Sequence, residues 1–263
     1  MRTRQLSVSL LVSVLWLAVG TATADAAKIG VVLMHGNASW GGQFVTIRDK
    51  FIEAGYGLET PDMCWSDTRM YAGTPEACMA DVDAAIERLR EQGYEQFVVA
   101  GHSMGASNAL FYGANHHEGT LAGIIAMSPR VGPRGRWYDP IGDMARELVA
   151  QGKGDVPTYF PRGYNEYKAT PNAYLGFVGD ESPLNATELM PKLTVPLLYV
   201  AGTDDGGQRR AEYVYGRKLP EMPMNEFLLV EADHMTTPDI AVDRVIDWLD
   251  RLSASLDGVQ VGG

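Results

Sequence analysis

Short apolar runs and helix-spaced apolar positions alternate along most of the chain. Residues 29–34, 97–100, 121–127, 196–201 and 227–230 are runs of strand length with almost no polar interruption, and 57–61 reads as a short further strand. Strands buried between two layers of helices need apolar residues on both sides of the pleat, which gives such runs. Between them, Phe44, Ile47, Phe51 and Ile52 recur at helical spacing over 44–54, and Gly55 closes that segment. Thr74 can cap a helix with Pro75 in its first turn. Cys78, Val82, Ala85, Ile86 and Leu89 would form its buried face, Glu87, Arg88 and Arg90 its wet one, and Gly93 its end. Helices are also expected over 106–114, 209–218 and 240–252, the last burying Val242, Val245, Ile246 and Leu249, followed by a disordered tail over 258–263. Strand and helix in alternation predict right-handed crossovers and a mostly parallel sheet with helices on both faces, an α/β class.

The alternation lapses between 129 and 194, where strand signals are absent and helices are expected only over 141–150 and around 172–177. Eight of the chain's 24 aromatics (Trp137, Tyr138, Tyr159, Phe160, Tyr164, Tyr167, Tyr174 and Phe177) fall within 41 residues of this interruption. An insertion at the carboxyl ends of parallel strands lies where open α/β sheets bind ligands. Each ring taken singly is explained by packing the insertion onto the body. Taken together they predict the wall of an apolar pocket beneath a small cap, with Trp40, Trp65, Trp137 and Tyr174 as candidate lining.

The amino terminus has a different character. Arg2 and Arg4 precede a largely apolar run over 6–19, and Ala24-Asp25-Ala26 fits a small-residue cleavage site. The run is shorter than the roughly 20 residues a membrane helix needs. Residues 1–26 are therefore read as a cleaved secretory signal in preference to a retained anchor, and 27–263 as one domain carrying the insertion. Removing 1–26 takes away two Arg and one Asp, so the formal charge moves from −11 to −12. An acidic exported product has no electrostatic footprint for nucleic acid or anionic lipid. Cys64 and Cys78 would sit in an oxidising compartment, either bridged across a short loop or as separate thiols, and neither has metal-ligand spacing.

Chemistry concentrates after the apolar run at 97–100. Gly101-His102-Ser103-Met104-Gly105 is a G-x-S-x-G pentapeptide between strand and helix, a turn sharp enough to lift Ser103 out of the sheet. A serine hydroxyl is a poor nucleophile and needs a base, which in turn needs an orienting group. The chain has five histidines. His35 belongs to the loop after the first strand, His102 lies within the pentapeptide, and His116 and His117 follow the next helix at its far end. His234 remains, in the loop after the last strand. The acid should follow the intervening strand, where Asp204 and Asp205 are both candidates and the spacing from Gly202 favours Asp205. The other Asp would cap the next helix.

In these residues the chain resembles the α/β-hydrolases: Ser103, Asp205 and His234 in that order, each after a strand, with His35-Gly36 in the first-strand loop. Gly101-His102-Ser103-Met104-Gly105-Ala106 and Asp233-His234-Met235-Thr236-Thr237-Pro238-Asp239 look like a group of small bacterial secreted or periplasmic serine hydrolases. The resemblance implies the α/β-hydrolase fold with a small cap and an oxyanion hole formed by the backbone amides of Asn37 and Met104. His35 would support the loop without titrating in catalysis. It also implies no cofactor, and a small-molecule ester cleaved through an acyl-enzyme without stable membrane association. The cap sequence matches no particular subfamily. An amidase, peptidase or thioesterase could use the same groups, and a non-catalytic binding protein would be exposed by failure to react with a fluorophosphonate.

Overall fold

A computed structural model describes residues 28–115, 119–130, 140–162, 165–206 and 208–260 of the protein. Chain order is β1 (Ile29–Met34), a 3-10 turn (Gly41–Gln43), α1 (Val45–Glu53), β2 (Gly57–Glu59), α2 (Pro75–Glu91), β3 (Gln96–His102), α3 (Met104–Asn115) and β4 (Leu121–Met127). There follow α4 (Pro140–Ala150), β5 (Thr158–Arg162), β6 (Asn165–Ala169), α5 (Pro171–Phe177), α6 (Ala186–Leu189) and a second 3-10 turn (Met190–Lys192). β7 (Leu197–Gly202), α7 (Gln208–Lys218), β8 (Glu226–Val230) and α8 (Thr237–Gln260) complete the described residues.

Six strands form one sheet in the order β2-β1-β3-β4-β7-β8, and every pairing in it is parallel. The pleat divides each central strand between two cores. Val32, Met34, Phe97 and Val99 face one, while Val31, Leu33, Val98 and Ala100 face the other. The first core is covered by α2, α3 and the segment between β4 and β7; the second is covered by α1 and α8, with Trp248 and Leu249 fully buried against it. The fold is therefore the expected α/β arrangement, with the sheet's carboxyl edge carrying the loops after β1, β3, β7 and β8. Among the described residues, no helix is long and apolar enough to cross a membrane.

Three local differences from the sequence reading have physical causes. The segment between β4 and β7 holds an antiparallel hairpin, β5 with β6, pairing Arg162 with Asn165 at its closed end. α8 begins at Thr237, because Asp233 and Thr236 bond the loop before it into a first turn, and it continues to Gln260, beyond the expected start of a tail. α7 starts at Gln208, three residues beyond Asp205, so Asp204 is not at the capping position, and it donates its amide to the Ala232 carbonyl. Cys64 and Cys78 are disulfide-bonded, with Cα atoms 5.7 Å apart.

Candidate active site

Ser103 sits between the end of β3 and the start of α3 with φ at +55°, a left-handed conformation that an L-residue holds only when its surroundings enforce it. The enforcement comes from the two glycines. A Cβ on Gly101 would overlap the backbone of Gly105 and Ala106, and one on Gly105 would overlap the carbonyls of Met34 and His35. The first turn of α3 thus packs against its own strand and against the end of β1, leaving Ser103 at the apex of the turn.

His234 comes from the loop after β8 and lies between two partners. Its Nε2 accepts from the Ser103 hydroxyl at 2.9 Å, and its Nδ1–H donates to Asp205 Oδ1 at 2.7 Å. The hydrogen bond that Asp205 accepts, against the opposing effect of partial burial, raises the His234 pKa above its ordinary value; the charges of Asp205 and Asp233 act in the same direction. For Asp205, burial favours the neutral acid, but the His234 hydrogen bond, the Ser128 hydroxyl and the two nearby imidazoles outweigh it and hold the carboxyl low. Ser128 lies buried just after β4 with φ at +53°; its hydroxyl is beside Asp205 although outside strict hydrogen-bond geometry. The arrangement is that of a base poised to take the serine proton, its tautomer set by a carboxylate.

The loop that carries His234 is itself pinned. Asp233 Oδ1 accepts from the amides of Met235 and Thr236 at 2.9 and 2.8 Å. His102 Nε2–H donates to the His234 carbonyl at 2.7 Å, with the two rings 4.9 Å apart. Burial lowers the His102 pKa to about 4, so it is a neutral donor at ordinary pH. Sequence spacing alone does not assign Ser128 or His102 this part. The position of His102 beside the serine was the available signal.

The amides of Asn37 and Met104, the expected oxyanion donors, have no acceptor among the described residues. Met104 follows Ser103 in the chain, and a Cβ built on Gly36, the residue before Asn37, would lie 3.7 Å from the Ser103 Cβ. His35 is fully buried and bonded on both ring nitrogens, Nδ1–H to the Gly36 carbonyl at 2.8 Å and Nε2 from the Met63 amide at 3.0 Å. Burial lowers its pKa.

Of the four residues expected to line a pocket, the described ones are two core residues, Trp65 and Tyr174, and the exposed Trp40. Trp65 is fully buried and donates Nε1–H to the His35 carbonyl at 3.1 Å. Tyr174 stacks on Phe160 in the core, and Phe177 fills the space against Trp65 and Tyr71. For these rings the simpler reading, packing of the insertion onto the body, describes the structure. Trp40 is 54% exposed beside an open cleft lined also by Thr60, Asp62, Asp67 and Thr68. Trp137, Tyr138, Tyr164, His116, His117, Arg2 and Arg4 lie outside the described residues, as does the side chain of Tyr167. Among the described residues, no group of three or more His, Cys, Asp and Glu side chains could hold a metal ion.

Sheet order, elbow and loop positions together define an α/β-hydrolase fold. Residues 25–159, 135 of the 263, match the family serine aminopeptidase, S33, and the chain belongs to that hydrolase family. No curated protein matches the chain in sequence. Among solved structures it is similar to the monoacylglycerol lipase of Paleococcus ferrophilus, at 18% identity over 85% of this chain and 94% of that one, with a TM-score of 0.65. It is similar also to one of the metagenome-derived lipolytic enzymes LipS and LipT, at 19% identity over 86% and 95% of the two chains, with a TM-score of 0.62. A third is the proline iminopeptidase of Mycobacterium smegmatis, at 14% identity over 88% and 95%, with a TM-score of 0.58. At such identities these likenesses are likenesses of fold.

Proposed function

We propose that the protein is an exported serine hydrolase that cleaves carboxylic esters through an acyl-enzyme on Ser103, with His234 as base and Asp205 as orienting acid. One observation carries the reading: a single imidazole bonded to a strained serine at 2.9 Å and to a carboxylate at 2.7 Å. His234 takes the serine proton as Oγ attacks the acyl carbonyl. The oxyanion is stabilised by the Asn37 and Met104 amides, and the alcohol leaves with the proton from His234. Water activated by the same imidazole then releases the acid. An alkoxide is a better leaving group than an amine, and the lipolytic enzymes among the similar structures point the same way. The small acidic exported domain, with 129–194 as cap, would act on a small-molecule ester without nucleic acid or stable membrane association. The Cys64–Cys78 bond supports export, because such bonds persist in oxidising compartments.

The family name favours a second reading, cleavage of an amide next to a free amine by the same groups. A chain-length series of p-nitrophenyl esters, run beside aminoacyl p-nitroanilides, separates the two. Ester turnover should exceed anilide turnover, vanish in Ser103→Ala and His234→Ala, and fall by about 10⁴ in Asp205→Asn. Anilide turnover exceeding ester turnover would select the peptidase. A protein that neither turns over nor labels at Ser103 with a fluorophosphonate would overturn both.

A further inference from the structure

Past Met34 the chain leaves the sheet, so the loop that carries the Asn37 amide has no strand ladder to hold it. Apart from the packing of α3 on the Met34 and His35 carbonyls, the hydrogen bonds that reach it from outside, among the described residues, come from one neighbouring segment. The Met63 amide bonds His35 Nε2 at 3.0 Å, Trp65 Nε1–H bonds the His35 carbonyl at 3.1 Å, and the Asp67 amide bonds the Ser39 carbonyl at 3.0 Å. Gly41 approaches the Thr60 carbonyl so closely that a Cβ there would overlap it. These contacts bracket Asn37 on both sides. The bracing segment, 60–67, runs between β2 and α2 and pairs with no strand beyond Glu59. It is held by the Cys64–Cys78 bond to α2, by the Cys64 amide on Asp81 Oδ2 at 3.1 Å, and by burial of Met63 and Trp65. Trp65 in turn packs on Phe177 of α5 at a centroid distance of 5.5 Å.

We infer that the Cys64–Cys78 bridge and Trp65 are positioning elements of the oxyanion-hole loop, anchoring through His35 the amide of Asn37 to α2. The inference rests on the serine-hydrolase reading above. Among the described residues no hydrogen bond of this brace reaches Asp205 or His234, which the ends of β7 and β8 and His102 hold. The two halves of the machinery, proton transfer and oxyanion stabilisation, are thus set by separate parts of the fold. The Met104 donor, on α3, is outside the brace too.

The test compares Cys64→Ser/Cys78→Ser and Trp65→Phe with wild type, each normalised to sites titrated by a fluorophosphonate. Complete removal of an oxyanion donor costs about 10²–10³ in kcat, so displacing one of two should lower kcat by about 5- to 100-fold. Trp65→Phe, which keeps an aromatic ring but loses the hydrogen bond and part of the buried volume, should sit at the low end. KM should change by less than about 3-fold, the acid limb of the pH–rate profile should stay in place, and affinity for a trifluoromethyl ketone should fall in parallel with kcat/KM. If the double Cys variant fails to fold, Trp65→Phe decides alone. Unchanged kcat per titrated site, or a loss accompanied by a moved pH profile, would overturn the inference. A wild type that labels but turns over no ester would sink only the substrate assignment; labelling rates of the variants then give the same comparison. A wild type inert to both would overturn the reading and the inference with it.

Discussion

His102 and His234 lie side by side and are driven in opposite directions, which separates two consequences of acidification. His234 must be neutral to accept the serine proton, and its pKa is raised, chiefly by Asp205, so activity should decline as pH falls through a value above 6.5. His102 is buried and its pKa is lowered from 6.5 to about 4. Between those values the unfolded chain binds a proton at this position that the native protein does not. Stability from this group is therefore complete above pH 6.5 and is lost as pH falls toward 4. At 1.36 kcal/mol per unit the full loss is about 3 kcal/mol. His35, also lowered by burial, acts with the same sign. Replacing His102 by Gln, which keeps a donor and removes the titration, should flatten the decline in unfolding free energy between pH 6.5 and 4, as read by urea titration. A decline as steep as in wild type would mean that His102 is not the group responsible.

At the scale of elements, the strand-turn-helix around Ser103 depends on backbone touching backbone, and its glycines have no room to yield. Gly101→Ala and Gly105→Ala each drive a Cβ into main-chain atoms, and side-chain rotation cannot relieve such a contact. Both should lose several kcal/mol, about the upper range for single substitutions, and show it as a large fall in Tm or in soluble yield. Gly216, inside α7, has nothing within 4 Å of a Cβ, and Gly216→Ala should raise stability by about 0.5–1 kcal/mol through helix propensity alone. A stable, well-expressed Gly105→Ala protein would show that β1 and α3 can part.

The same elements show what the sequence made legible. Strands buried on both faces read as plain apolar runs, so β4 was expected at its observed bounds and β3 and β7 within two residues of theirs. The β5–β6 hairpin was missed because its strands are short, half polar and interrupted by Pro161. The two residues between Arg162 and Asn165, beginning with Gly163, were its one turn signal. Ser103, Asp205 and His234 could be brought together on paper because parallel topology puts their loops on one edge. His102 on the His234 carbonyl and Trp65 on the His35 carbonyl could not, since a hydrogen bond between distant loops leaves no periodicity behind.

Across the whole molecule, the sheet is secured by two apolar layers, yet the loops at its carboxyl edge depend on bonds of their own. The Cys64–Cys78 bridge closes a segment of sequence separation 14, and a loop of about that size is worth about 3 kcal/mol through the entropy it removes from the unfolded chain. The native side adds its own share, because the bridged segment buries Trp65 and Tyr71, with Met63 just before it, within the larger core. Cys64→Ser/Cys78→Ser should therefore lose about 2–4 kcal/mol in chemical denaturation, more than surface substitutions cost. The loss should be uneven. Amide exchange should quicken first over 60–72 and the loop after β1, whose hydrogen bonds run to that segment, while the amides of β3 and β4 at the centre of the sheet track global unfolding. Equal acceleration everywhere would mean that the bridge acts only on the unfolded chain. Unchanged stability with quickened exchange confined to those loops would mean that it constrains only their local opening.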